Sequence, residues 1–78
     1  MREFYMQLNS FQQVQEFVRL AAEQPFEIRV GNDHQNINGK DLMGMFSLDF
    51  RFPQRVSCTC SEEEFCRFHS QAAPFLAN

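Results

Sequence analysis

The chain has 78 residues, 44% of them apolar, and ten are phenylalanine. That suits one small domain spanning residues 1–78 with a single core, and it excludes a disordered chain. Seven basic against ten acidic residues give a net charge of −3, which argues against nucleic acid as a partner. No apolar run approaches the ~20 residues of a membrane span.

Residues 3–8 alternate, with Phe4, Met6 and Leu8 on one side and Glu3, Tyr5 and Gln7 on the other. A period of two predicts a half-buried strand. Ser10-Phe11-Gln12-Gln13 has the spacing of a capping box. Phe11, Val14, Phe17, Val18 and Ala21 then recur at helical spacing and predict an amphipathic helix, which Pro25 stops. Residues 26–30 alternate as a second strand. Gly31-Asn32-Asp33 is a turn, and a short third strand over 35–38 completes a hairpin.

Asp41 is placed to cap a short helix over 42–48 that is apolar nearly all round, through Leu42, Met43, Met45, Phe46 and Leu48. Residues 50–55 connect it to a fourth strand over 56–60. Ser61 and Glu64 form a second capping box, with three acids in the first helical turn. Phe65, Phe68, Ala72 and Phe75 line one side of this last helix, which Pro74 ends or kinks. The order βαββαβα predicts an α+β domain, with a four-stranded antiparallel sheet and all helices on one face. The expected core holds Phe4, Met6, Leu8, Phe17, Ile28, Val56, Cys58, Phe65 and Phe68.

The inventory of reactive groups is thin. Cys58, Cys60, Cys66 and His69 lie within twelve positions. A zinc site would need all four to converge at about 2.0–2.3 Å. The paired Cys-x-x-Cys turns of structural zinc sites are absent, and Cys58 and Cys60 read as core positions on a strand. No metal or cofactor is therefore expected. His34 sits in a turn, no nucleophile elbow is present, and the three glycines are isolated. These features predict that the chain is not an enzyme. Its opening residues lack the apolar stretch of a signal peptide, and its cysteines are odd in number. Both point to reduced thiols in a cytoplasmic protein.

The short apolar helix is the informative oddity. A helix lying on one face of a small sheet hides about half its circumference, and this one is apolar over more than that. Leu42, Met43 and Phe46 are expected on its outer face, with Lys40 and Asp41 at the rim, while Met45 and Leu48 anchor inward. An exposed apolar patch containing methionine predicts a protein partner.

Residues 38–48, Asn-Gly-Lys-Asp-Leu-Met-Gly-Met-Phe-Ser-Leu, resemble the HPr family, the phosphocarriers of the bacterial sugar phosphotransferase system. There the segment reads roughly Lys-Ser-Ile-Met-Gly-Val-Met-Ser-Leu, and Lys40, Met43, Gly44, Ser47 and Leu48 match it. The element order is also that of the family, an open-faced β-sandwich. From Phe26 to the last helix the chain lies along the family without gaps. The resemblance implies a protein-binding surface at Lys40, Asp41, Leu42, Met43, Phe46 and Ser47. Its partner would be a phosphotransferase component or a transcriptional regulator, and a homodimer stays open.

Two departures bear on activity. The family's phosphorylatable histidine opens the first helix in a Gly-x-His-Ala-Arg-Pro-like motif. Here that slot falls on Ser10, or on Gln12 if two residues are missing, and neither carries an imidazole. Asp41 stands where many members have a regulatory serine. It caps the helix or puts permanent negative charge near the place of a phosphate. The chain thus resembles the catabolite-repression homologue of HPr, which has also lost the histidine and acts by regulatory binding. Two alternatives remain from the residues. One is an atypical phosphoacceptor using Ser10, Ser47 or His34. The other is a metal- or thiol-responsive module using Cys58, Cys60, Cys66 and His69.

Overall fold

The computed structural model describes residues 2–77. Four strands, β1 (Arg2–Met6), β2 (Glu27–Gly31), β3 (Asn36–Asn38) and β4 (Gln54–Thr59), form one sheet in the order β1-β4-β2-β3, with every pairing antiparallel. The helices are α1 (Phe11–Ala22), α2 (Leu42–Met45) and α3 (Glu62–Gln71), and a 3₁₀ turn follows at Ala73–Phe75. This is the α+β architecture expected from the alternation of periods two and 3.6.

The register explains the sheet's two faces. Phe4 pairs with Val56, and Val56 pairs with Val30, which pairs with Ile37. Cys58 pairs with Ile28. Directly opposed residues share a face, so these side chains make one apolar layer, against which α1 lays Val14, Phe17, Val18 and Ala21. Glu3, Ser57, Arg29 and Asn38 form the next row across the four strands and face away from the core. Phe68 of α3 is fully buried and meets the rings of Phe4, Phe17 and Phe26 at centroid distances of 5.8, 6.2 and 5.8 Å.

Local chemistry sets the element ends. Ser10 Oγ accepts from the Gln13 N–H at 3.2 Å, while Gln13 Oε1 accepts from the Asn9 N–H, one residue outside the box. At Ser61 the capping box is reciprocal: Ser61 Oγ accepts from Glu64 N–H and Glu64 Oε1 accepts from Ser61 N–H, both at 3.1 Å. The β2–β3 hairpin closes so tightly that a Cβ on Gly31 would collide with the Gln35 carbonyl. Lys40 Nζ donates to the Gln24 carbonyl at 2.7 Å and ties the β3–α2 junction to the end of α1. The chain's last described residues lie along the outer edge of β1, with Gln7 N–H donating to Phe75 O and Ala77 N–H to Tyr5 O.

Several expectations need correction. Phe11 is not on the buried stripe of α1. It is 62% exposed because the first helical residue projects toward α2 instead of the sheet. Phe65 is only half-buried at the rim of α3. β4 starts at Gln54, not Val56, because Gln54 still pairs with Met6. The regular part of α2 ends at Met45 instead of Leu48. Beyond it, Ser47 N–H bonds to Gly44 O and Leu48 N–H to Met45 O, the tighter spacing of a 3₁₀ turn. Ser47 Oγ also donates to the Gly44 carbonyl at 2.6 Å, which favours that turn. Asp41 occupies the N-cap position in an extended conformation, but its carboxylate makes no capping bond and lies alongside Gly44. After Gln71 the chain leaves the helix, and Pro74 sits in the 3₁₀ turn.

The Phe68 ring touches both the sheet and α1, so removing it opens a cavity that neither can fill. Phe68→Ala is expected to cost about 3–5 kcal/mol in urea denaturation.

Candidate functional site

Where α1 begins, α2 ends and the 49–52 loop turns back, the surface holds a groove of about 480 Å³. Leu8, Phe11, Val14, Phe46 and Phe50 supply its apolar walls, and Asn9, Ser10 and Arg51 its polar rim. Each wall is held in place by identifiable bonds. The Ser10 cap fixes the first turn of α1 and so the Phe11 ring. Phe46, at the C-cap of α2, stacks on Phe11 with centroids 4.9 Å apart and planes at 15°. Gln7 Nε2 donates to Phe50 O at 2.7 Å. The buried Gln54 side chain donates to Asp49 O at 2.7 Å and Phe52 O at 3.1 Å. Two glutamine amides thus clamp the loop from the sheet side.

The loop's surface is set by one ion pair. Arg51 Nε and Nη2 reach the Asp49 carboxylate, at 2.8 Å for the closest contact. Those hydrogen bonds, with the Arg51 backbone N–H and its charge adding, hold the Asp49 carboxyl down at about 2. A carboxyl lowered in the folded state keeps its contribution above its ordinary pKa and loses it as pH falls through the folded value. The pair therefore persists through mild acid. In NMR titrations Asp49 should show a midpoint near 2, with the Arg51 amide reporting the same transition, and Arg51→Gln should return that midpoint toward 3.8.

The short helix presents its side chains unequally. Met43 is 79% exposed and Phe46 40% exposed, whereas Met45 and Leu48 are buried. Leu42 is half-buried against the core, so it belongs to the outer face only in part. Asp41 and Ser47 are exposed, and Lys40 is half-buried with its ammonium committed to the Gln24 carbonyl.

At the start of α1, Ser10 acts as the helix cap and Gln12 is exposed, with no imidazole beside either. His34 belongs to the β2–β3 turn, where Asn32 Oδ1 accepts from its backbone N–H. His69 packs edge-on against Phe4 and beside Phe65 on α3. Neither histidine lines the groove.

The cysteine-histidine constellation does not assemble. Cys58 is buried in the sheet, Cys66 is exposed on α3, and His69 is engaged with aromatic rings. Among the described residues no three His, Cys, Asp or Glu side chains are placed to hold a metal ion. Burial pushes the Cys58 thiol up to about 12, with neighbouring Cys60 adding to the shift. At pH 8, iodoacetamide should modify Cys66 first and leave Cys58 intact until the chain unfolds, an order that peptide mass spectrometry reads directly.

Leu8, Asn9, Val14, Phe50 and Arg51 were not singled out by sequence as parts of a site. The one available signal was the Phe50-Arg51-Phe52 alternation in a segment too short for a helix, which resembles an ordinary connection.

Of the comparisons with known proteins, the one with solved structures agrees with this architecture. No protein-family model matches the sequence, and no curated protein matches it. Among solved structures, the chain is similar to the crystal structure of HPr-C-His from Thermoanaerobacter tengcongensis. The TM-score is 0.72 at 23% identity, over 92% of this chain and 90% of that one. The fold is therefore HPr-like. No helix is long and apolar enough to cross a membrane among the described residues.

Proposed function

We propose that the chain is a non-enzymatic, HPr-like protein of the bacterial cytoplasm. It acts by binding another protein through the α2 face, in the control of sugar uptake or carbon use, and it carries no phosphoryl group. The observation that carries this reading is the exposure of Met43 on α2 and of Phe46 and Phe11 in the wall of a groove whose rim has no imidazole. A phosphocarrier needs a ring nitrogen that accepts and releases a phosphoryl group. Ser10 would form a stable ester instead, and its hydroxyl is already engaged as a cap. Large apolar side chains exposed together on one face are what a protein partner covers. Flexible methionine suits that role because it repacks against differing surfaces.

Two experiments test the reading. After incubation with the general phosphotransferase enzyme and phosphoenolpyruvate, intact-mass analysis should find no acid-labile phosphate. Stoichiometric phosphate on His34 or His69 refutes the non-carrier assignment. The double change Met43→Ser and Phe46→Ser should cost about 2 kcal/mol, because Met43 is largely solvated while Phe46, 40% exposed, loses its partial burial and its stack on Phe11. It should weaken a purified partner's binding by tenfold or more in calorimetric titration. A loss of several kcal/mol in stability would instead place these residues in the core and remove the basis for docking.

A further inference from the structure

Of the chain's five asparagines, only Asn38 precedes a glycine. Asparagine is chemically labile, and most so in that pair, because glycine has no Cβ to keep its backbone nitrogen away from the side-chain amide. The fold calls for both residues. Asn38 ends β3 and opens the turn into α2, its C=O accepting from Asp41 N–H at 3.0 Å and its Oδ1 from Lys40 N–H at 2.9 Å. The second bond is an Asx-turn, which needs a short side chain with an acceptor oxygen. Gly39 is buried, and a Cβ there would come within 2.8 Å of Ile28 Cγ2 and 3.1 Å of Val30 Cγ2. The turn thus primes the amide and withholds its attacker. Lys40 N–H, bonded to Oδ1, draws electrons from Asn38 Cγ and is placed to stabilise an oxyanion. Gly39 N–H instead donates to Ile28 O at 2.8 Å from its buried position, shielded from the hydroxide that must take its proton.

We propose that Asn38 is a spontaneous modification site, gated by release of the Gly39 N–H from Ile28 O, and that its isoaspartyl product unfastens α2 from the sheet. Once the bond opens, the Gly39 nitrogen gives its proton to hydroxide and attacks Asn38 Cγ. A C–N bond forms, the Cγ–Nδ2 bond breaks, and the amide nitrogen leaves as ammonia with a proton from water. A cyclic imide remains. Water then cleaves it at Cγ to give aspartate, or at the main-chain carbonyl to give isoaspartate, and no oxidant or cofactor is consumed. The products differ in consequence. Aspartate keeps the acceptor oxygen of the turn and adds a negative charge three residues before Asp41. Isoaspartate routes the main chain through Cβ and Cγ, one atom longer, and takes Gly39 N–H out of register with Ile28 O. The Lys40 ammonium, which ties this junction to the Gln24 carbonyl at the end of α1, hangs on the same turn. α2 starts directly after it, at Leu42.

Folded protein and the same chain unfolded in guanidinium chloride, both held at pH 8, test this by peptide mass spectrometry, with isoaspartyl methyltransferase as the probe for isoaspartate. The unfolded chain should lose its Asn38 amide tenfold faster or more, because in the native state only the open fraction reacts. Lys40→Met removes the ammonium that ties the turn to α1 and keeps the stem and every backbone donor. It should speed the folded-state loss severalfold, and speed hydrogen exchange of the Gly39 amide by the same factor. Asn38→Ser keeps an acceptor for the turn and should abolish the modification. Circular dichroism confirms the fold of both variants. In aged protein, pulse proteolysis should remove the isoaspartyl fraction at a lower urea concentration than it removes Asn38→Asp. Four results overturn the proposal: equal rates in folded and unfolded chains, amide loss that does not follow Gly39 exchange, faster loss at Asn9, Asn32 or Asn36 than at Asn38, or an isoaspartyl form as stable as Asn38→Asp.

Discussion

One aromatic ring joins the layers of this fold. Phe68 comes from α3, yet its neighbours are Phe4 of β1, Phe17 of α1 and Phe26 at the entry to β2. Each such ring pair contributes about 0.5–1.5 kcal/mol beyond the burial of its area. The geometry matters more than the sum. Because one side chain touches the sheet and α1, α3 cannot shift along the sheet without breaking contact with both. The Ser61–Glu64 box fixes where α3 starts and so where Phe68 falls.

The same cluster explains the exposed face. The core gathers under α1 and α3, and α2 is a single turn outside it. Met45 and Leu48 of that segment reach the interior, and Leu42 lies half-buried against it. The remaining apolar side chains of the short helix have no layer above them, and Phe11, displaced from its own helix's inner stripe, joins them. Glutamine amides hold the neighbouring loop, together with the half-buried Phe50 ring packed against the core. The groove is thus built by capping and amide bonds around rings at the edge of the core.

Much of this was legible in the sequence where a periodic signal met a long element. The alternation of Phe4 and Met6 and the spacing of Val14, Phe17, Val18 and Ala21 each name one face, and each face is buried. Legibility failed at element ends. Phe11 obeys the helical period but lies beyond the sheet that the period points to. Asp41 has the chemistry of a cap, yet its carboxylate turns aside to Gly44. The groove was hidden because its wall combines residues some forty positions apart, Leu8 to Val14 with Phe46 to Arg51, and no local pattern encodes that meeting. The apolar excess of α2 was visible, since a single turn cannot bury so many large side chains.

The position of β1 has a kinetic consequence. This first strand pairs with β4, and its other edge is met by residues 75–77. At about 5–20 residues per second, the ~50 residues between β1 and β4 take about 3–10 s to synthesise. Throughout that interval Phe4 and Met6 have no sheet to join, although α1 and the β2–β3 hairpin can already form. A chain ordered this way completes its sheet late and nearly all at once. Until then its most apolar strand is open to chaperones and to other nascent chains.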